Sequence, residues 1–150
     1  MSKPSKLDPK TVTPRTSTVY PPEFAGAVKG REKRALGDFF GLTQYGVNLT
    51  TLAPGSWSSH RHWHENEDEF LYVLEGQATV IDNAGEHVLH PGDAAVWPFG
   101  VPNAHHVVNR GNKPLRHLIV GSRVEGDICH YPDSGQTLRN RILHWSVTDA

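Results

Sequence analysis

The sequence predicts an all-β domain, a β-sandwich or a β-barrel, on three observations. Short runs rich in Val, Thr, Ile and Leu recur at close spacing. Gly, Pro, Asn and Asp stand between these runs, as they do in the turns of sandwiches and barrels. Helix signals are few, and glycines weaken the one helical turn that residues 24–36 could hold. The length of 150 residues suits one domain with a core of its own.

The predicted strands follow one another from residue 41 onward. Residues 41–55 indicate one or two strands that end at a Pro-Gly turn. A hairpin turn at residues 83–85 joins two later strands. The other predicted strands cover residues 69–74, 78–82, 86–89, 94–97, 107–109 and 115–120.

The two ends of the chain differ in composition from this middle part. Residues 1–40 are predicted to form an extended, partly ordered N-terminal arm, because prolines recur there among Ser, Thr and Lys. Plain disorder and docking on a neighbour are the two alternatives for this arm. Its basic residues favour a solvated face over a phosphate site: Arg31, Lys33 and Arg34. The barrel is predicted to span 41–124 and a tail 125–150, in which residues 138–145 fit a strand, a short helix or an arm.

Composition excludes several classes of function. The net charge is −1 and no polybasic block is present, so we expect no nucleic-acid partner. No apolar run reaches membrane-spanning length and no signal peptide is visible, so we expect no membrane association. Cys129 is the single cysteine, which rules out an internal disulfide and agrees with the cytoplasmic location that we expect.

The stretch of residues 54–76 carries the chemistry. His62 and His64 stand two residues apart, so in an extended strand both imidazoles face one point while Trp63 faces the other way. Imidazole and carboxylate are metal ligands, and four acids follow within five residues of His64: Glu65, Glu67, Asp68 and Glu69. The alternatives are an exposed loop without a ligand role and a register in which His60 and His62 form the pair.

Two motifs resemble those of the cupin superfamily. The first is a glycine, a His-x-His pair, a glutamate and a second glycine, matched by Gly55, His62, His64, Glu69 and Gly76. The second is a glycine, a Pro-x-Gly, a histidine and an asparagine, matched by Gly92, Pro98, Gly100, His105 and Asn109. The spacing from Gly55 to His62 is one residue longer than usual, and that from Gly100 to His105 is two residues longer. The sequence of these motif regions is similar to that of a branch of small single-domain cupins, some of which are described as sugar-phosphate isomerases.

The resemblance implies a fold and a ligand set. The fold is a double-stranded β-helix of jelly-roll type, and the implied metal ligands are His62, His64, Glu69 and His105. His105 keeps the family's spacing to Asn109, so it is preferred over its neighbour His106, although a bulge between the motifs could reverse that choice. His60 is a candidate catalytic acid or base, with a pocket-rim histidine as the plainer interpretation.

Three imidazoles and one carboxylate suit one divalent transition metal: Fe, Mn, Ni, Co or Zn. An octahedral ion would keep two positions for a substrate and could polarise a carbonyl, or bind dioxygen if it is iron. The resemblance therefore implies a metal-dependent isomerase, lyase or dioxygenase that acts on a small oxygen-rich molecule such as a sugar or carboxylate. The alternative is a metal-dependent small-molecule binding or sensing protein without turnover.

The strand at residues 69–74 is apolar on both faces. One face carries Glu69, Leu71 and Val73, and the other carries Phe70, Tyr72 and Leu74. A half-exposed strand alternates between apolar and polar side chains, so this second face needs a cover. The opposing sheet lies on the Glu69 side, which leaves the arm or a second subunit, and we expect a homodimer.

Overall fold

The computed structural model describes residues 5–139, and within that range the chain is built almost entirely of strands. They are β1 Arg31–Ala35, β2 Tyr45–Leu52, β3 Trp63–His64, β4 Glu69–Glu75, β5 Ala78–Asp82, β6 Gly85–Leu89, β7 Ala94–Trp97, β8 His106–Val108, β9 Leu115–Ser122, β10 Ile128–Tyr131 and β11 Gln136–Arg139. The helices are α1 Pro22–Ala25 and α2 Leu36–Phe39, with 3₁₀ turns at Pro9–Thr11 and Gly26–Val28. The all-β prediction is confirmed.

Neither α-helix in residues 5–139 is long and apolar enough to cross a bilayer. Each has four residues: α1 begins after Pro21 and continues into the 3₁₀ turn at Gly26–Val28, and α2 begins where β1 ends and stops before Phe40. For residues 138–145 a strand, a short helix and an arm were all left open. Residues 138 and 139 belong to β11, which spans Gln136–Arg139, and residues 140–145 lie outside the described residues.

The strands form two packed layers. One layer is a five-stranded antiparallel sheet in the order β1-β2-β9-β4-β7. The other contains two three-stranded sheets, β11-β10-β3 and β6-β5-β8. An isolated bridge between His62 and His105 connects them, and a second bridge joins Trp57 to Val108 of β8. The bridge between the two histidines joins the predicted metal-binding motifs directly.

A continuous apolar core joins the layers. The inward side chains of both layers form one buried cluster: Leu52, Leu71, Val73, Ala78, Val80, Leu89, Trp97, Val107 and Leu115. Full burial of an aliphatic side chain of this size contributes about 1.5–3 kcal/mol. At the end of β4 the chain must pass close to β9, since a Cβ on Gly76 would lie 2.6 Å from the Pro114 carbonyl oxygen and φ there is +84°. Glycine is therefore required where the first motif ends.

The sheets continue past both predicted limits of the barrel. β1 lies within the segment predicted as an arm, and all five of its residues pair with β2. β10 lies within the predicted tail and pairs with both β3 and β11. The prolines that predicted the arm stop at residue 22, so the pairing of residues 31–35 was left without a local signal.

The expectation of a solvated basic face at Arg31, Lys33 and Arg34 is wrong for the first two. In β1 the side chains of Arg31 and Lys33 share the inward face and line an internal cavity. Arg34 faces the other way, and its Nη1 donates to the Val12 carbonyl oxygen of the arm. Strand alternation thus divides a basic run into an internal pair and an external residue.

The arm packs on its own barrel. Arg15 forms an isolated antiparallel bridge with Lys33, with N–O distances of 2.7 and 2.9 Å. Further along, the Tyr20 hydroxyl accepts a hydrogen bond from the His60 amide at 3.2 Å. Within the described residues the arm therefore adds to the edge of the five-stranded sheet, and it leaves the Phe70 face of β4 exposed.

Candidate metal centre

Four predicted ligands meet where β3, β4 and the chain before β8 converge. The His62 Nε2 lies 3.0 Å from Glu69 Oε1, and the His64 Nε2 lies 2.7 Å from the same oxygen. The His105 Nε2 lies 3.0 Å from Glu69 Oε2. The strand geometry that puts His62 and His64 on one face, and the bridge from His62 to His105, bring three rings around one carboxylate.

The other nitrogen of each ring is held by an oxygen. The Nδ1 of His62 lies 2.9 Å from the His60 carbonyl oxygen, and that of His105 lies 2.9 Å from the Asn103 carbonyl oxygen. The Nδ1 of His64 lies 2.7 Å from Asp127 Oδ2. Carbonyl and carboxylate oxygens accept hydrogen bonds, so each Nδ1 donates and each Nε2 can direct a lone pair at the centre.

The electrostatics of this arrangement favour positive charge beside Glu69. Burial alone would raise the pKa of Glu69, but the three histidines around it hold that pKa well below its usual range. Burial alone would lower the pKa of His64, but Asp127 and Glu69 outweigh it and raise this pKa to about 10. Burial lowers the pKa of His105. The carboxylate is thus ionised, and positive charge beside it is stabilised.

The donor set fits a metal ion. Ligand bonds of about 2.1 Å at right angles place neighbouring ligand atoms about 3.0 Å apart. The three nitrogen–oxygen distances of 2.7–3.0 Å agree with that separation. Three nitrogens and one oxygen suit a divalent transition metal better than Mg²⁺ or Ca²⁺, which prefer oxygen ligands.

The centre opens onto a cavity of about 350 Å³. Gly121 lies directly across from Glu69 in the sheet, and a Cβ there would come within 3.9 Å of Glu69 Cγ and 3.3 Å of the Asp68 carbonyl oxygen. On the other side Trp97 stacks on His105 with ring centroids 3.8 Å apart and planes 5° apart. The glycine keeps room beside the carboxylate, and the indole forms a dry wall that fixes one imidazole.

Two histidines of the motif regions lie outside the centre. The His60 Nε2 lies 2.7 Å from the Phe24 carbonyl oxygen, and its ring packs edge-on against Tyr20 and Trp57. The His106 Nδ1 lies 2.9 Å from the Ser59 carbonyl oxygen, on the opposite side of the chain from His105. The structure brings His105 to the carboxylate and not His106, and the catalytic role of His60 stays a prediction.

Sequence reasoning missed the contribution of β10 and the turn before it. Asp127 accepts from His64 and also from the Asn66 amide, at 2.9 Å, which ties the acid-rich loop to the C-terminal hairpin. The Cys129 thiol lies within 4.8 Å of ligand atoms of His62 and His64, and burial raises its pKa well above the ordinary value. No local motif marks these residues; the signal is the long-range pairing of β10 with β3.

Comparison with known proteins agrees with this fold and centre. The Cupin domain family matches residues 48–121, which include all four proposed ligands. The crystal structure of a sugar phosphate isomerase from a cupin superfamily, from Silicibacter pomeroyi, superposes with a TM-score of 0.87 at 42% identity. The match covers 89% of this chain and 85% of that chain. The barrel is therefore a double-stranded β-helix, as the motifs implied.

Two curated relatives are more distant. The tetracenomycin polyketide synthase protein TcmJ of Streptomyces glaucescens is 36% identical over 76 residues, which are 51% of this chain and 49% of that protein. The oxalate-binding protein of Thermotoga maritima is 36% identical over 69 residues, which are 46% of this chain and 54% of that protein. The matched region thus spans about half the length of each curated relative. With the family match and the coverage of the Silicibacter structure, the chain belongs to the cupin superfamily.

Proposed function

We propose that this chain is a metal-dependent enzyme that acts on a small oxygen-rich molecule. The observation that carries the proposal is the convergence of three imidazole Nε2 atoms on the Glu69 carboxylate at the edge of an internal cavity. The cavity volume of about 350 Å³ suits a molecule the size of a sugar or a small carboxylic acid.

The proposed ligands are His62, His64, Glu69 and His105, and the ion is one of Fe, Mn, Ni, Co or Zn. A bound ion of this kind would supply Lewis-acid polarisation of a substrate oxygen, and iron would also make oxygenase chemistry available. The residues of the chain supply the rest: the Nδ1 acceptors fix the ring orientations, and Trp97 with its apolar neighbours keeps water from one side. Isomerase or lyase chemistry suits such a site, and a related crystal structure is that of a sugar phosphate isomerase.

The second candidate is a metal-dependent binding protein without turnover. His60, the acid or base expected from the sequence, directs its Nε2 at the Phe24 carbonyl oxygen and does not line the cavity. The curated relative from Thermotoga maritima is an oxalate-binding protein. A protein that captures a small anion through its metal needs no proton-transfer group, which favours this candidate if no substrate turns over.

The test is metal analysis followed by a substrate panel. We expect about one metal ion per chain in the untagged wild type after reconstitution, and loss of metal in the variant that carries both His62→Ala and His64→Ala. Turnover of a sugar phosphate or a carboxylic acid that chelator abolishes would support the enzyme. Equal metal in both proteins would contradict the metal centre, and saturable binding without turnover would favour the second candidate.

We also propose a homodimer formed through the outer face of β4 and β7. Four apolar side chains there are exposed in the single chain: Phe70 by 37%, Tyr72 by 38%, Leu74 by 44% and Val96 by 63%. Phe70 and Val96 pair across the two strands, so the exposed surface is continuous. The cytoplasmic location and the absence of nucleic-acid and membrane partners stay predictions.

Light scattering at micromolar concentration should give twice the chain mass for the wild type. Phe70→Glu places a charge in the middle of this face and should shift the protein to monomer, while Val88→Glu, exposed by 52% on β6, serves as the matched control. A wild-type protein that is monomeric would contradict the proposal.

A further inference from the structure

The far end of the cavity contains polar groups that no residue of the described chain satisfies. His117 on β9 is 0% exposed, and neither of its ring nitrogens has a hydrogen-bond partner. Lys33 on β1 lines the same cavity, and its ammonium forms no hydrogen bond or ion pair with any residue in the range 5–139. Buried polar groups are normally paired, so an unpaired buried imidazole beside a half-buried ammonium without a partner indicates a ligand.

The sheet places these groups side by side. Lys33 pairs with Thr50, and Thr50 pairs with His117, so the three side chains stand in one row on one face. The next residue in the row is Val73, which is 0% exposed and belongs to the core, so that face is the inner one. An ammonium, a hydroxyl and an imidazole therefore point into the cavity together.

The charge at this end is positive, and within residues 5–139 no carboxylate forms an ion pair with Lys33 or Arg31; Glu69 and Asp38 act on Lys33 at longer range. Arg31 also faces the cavity, and its Nη1 donates to the Ser58 carbonyl oxygen at 2.6 Å instead of to a carboxylate. Burial, with the repulsion from Arg31, lowers the pKa of Lys33 to about 8. Burial, with the charge of Lys33, lowers the pKa of His117 to about 4, so this ring is neutral near pH 7 and can donate one N–H.

An anion is the ligand that these groups suit. A half-buried ammonium without a counter-charge destabilises the fold, and an oxyanion would supply both the charge and the acceptor atoms. Lys33 and Arg31 provide charge-assisted donors, and Thr50 and His117 provide neutral ones. Glu69, which lines the same cavity, stands four residues along β4 from Val73, about 13 Å, so an oxyanion at the Lys33 end is separated from that carboxylate.

We propose that Lys33, Thr50 and His117 bind the terminal oxyanion, a phosphate or a carboxylate, of the molecule whose other end reaches the metal centre. Val73 stands beside His117 and lies four residues from Glu69 on β4, which is about 13 Å along the strand. A short carbon chain with oxygen atoms at one end and an oxyanion at the other spans that length. The position of the oxyanion rests on this row of residues alone; its link to a metal-bound end rests on the proposed function.

The experiment measures oxyanion binding in the absence of the metal. Inorganic phosphate and, separately, acetate are titrated by calorimetry into the full chain carrying His62→Ala and His64→Ala, so that no metal can hold the anion. Into this background we introduce Lys33→Met, His117→Leu, and Lys113→Met as the matched control, since Lys113 is exposed. We expect the background protein and the control to bind phosphate, and Lys33→Met to weaken binding about tenfold or more.

His117→Leu removes a hydrogen-bond donor without changing the net charge near pH 7, where the ring is neutral. A several-fold loss of phosphate affinity in that variant therefore indicates direct contact with the anion rather than attraction by the positive charge of the cavity. Phosphate should raise the melting temperature of the background protein and the control, but not that of Lys33→Met, which without phosphate should melt at the same temperature or higher. Stronger binding of acetate than of phosphate would identify a carboxylate as the natural group. Equal phosphate affinity in the background, Lys33→Met and His117→Leu, or no binding of either anion, would overturn the proposal. Because the background lacks two proposed metal ligands, these results stand whether or not the wild type binds metal.

Discussion

The two ends of the cavity carry groups of opposite electrostatic character. At the metal centre the groups that face inward are an ionised carboxylate and imidazole nitrogens, each oriented by an oxygen behind it. At the far end the inward groups are the Lys33 ammonium and the neutral His117 ring, neither of which forms a side-chain hydrogen bond within residues 5–139. The proposed function and the proposed oxyanion site therefore assign a cation to one end and an anion to the other. The comparison teaches that polarity within one cavity, more than its volume, constrains the ligand.

The largest effect is expected from the adjacent histidines of the second motif. His105→Ala should abolish stoichiometric metal binding, because it removes an Nε2 that lies 3.0 Å from Glu69. His106→Ala should keep the metal, because its ring bonds to the Ser59 carbonyl oxygen. Elemental analysis of both reconstituted variants is the measurement. The two rings are 3% and 5% exposed, so each variant controls for the loss of a buried imidazole in the other.

If His106→Ala lost the metal and His105→Ala kept it, the choice of His105 as the fourth ligand would be wrong. Loss in both variants, with a folded barrel by circular dichroism, would instead mean that the local strand pairing with His62 matters more than the ligand itself.

A smaller effect is expected at Asp127, which orients His64 without facing the cavity centre. Asp127→Asn should weaken metal affinity about 10–100-fold, because the charged acceptor behind the ligand ring is lost. The measurement is a competition titration with a metal-binding dye. Asp133→Asn is the matched control, since its carboxylate is 62% exposed and pairs with Arg61 on the surface. An Asp127→Asn protein with wild-type affinity would show that the ring is held by the strands alone.

The smallest effect is expected at Lys33, at the other end of the cavity, in the pH dependence of the free energy of unfolding. The pKa of Lys33 is about 8 in the fold, against its ordinary value of 10.5, so between these values the unfolded chain binds a proton that the folded chain does not. The free energy of unfolding of the wild type should therefore rise, relative to Lys33→Met, as pH increases through that window. The groups that act on Lys33 are Arg31, Arg15, Glu69, Asp38 and His117.

Urea denaturation of both proteins at about pH 7 and about pH 10 is the measurement, and the difference between the two proteins cancels the other titrating groups. A constant difference across this range would mean that the Lys33 ammonium is solvated in the fold. Lys113→Met serves as the control: its free energy of unfolding should differ from that of the wild type by the same amount at both pH values.

The strands of the middle part could be predicted because their signals are local. β5 and β7 have the predicted bounds, β4, β6 and β9 differ by one or two residues at one end, and β8 is shifted by one residue. Period-two alternation and turn residues depend only on neighbouring positions, so a single sequence contains them. The pairing of His62 with His64 on one face followed from the same alternation.

The remainder depends on pairing between distant segments. No local pattern in residues 31–35 predicts that they pair with β2. A basic run considered without that pairing is therefore predicted to face solvent. Asp127 acts at the centre only because β10 pairs with β3, about half the chain away in sequence. Such contacts are set by the tertiary fold, which overrides local composition.

The pairing of β10 with β3 also sets an order in time. A ribosome releases the chain from its N-terminus, so all four proposed ligands emerge before Asp127 and the hairpin that follows it. During that interval the Nδ1 of His64 lacks the Asp127 carboxylate that accepts its hydrogen bond in the folded chain. The hairpin of β10 and β11 is therefore synthesised after all four proposed ligands, and Asp127 is the last residue of the candidate centre to emerge.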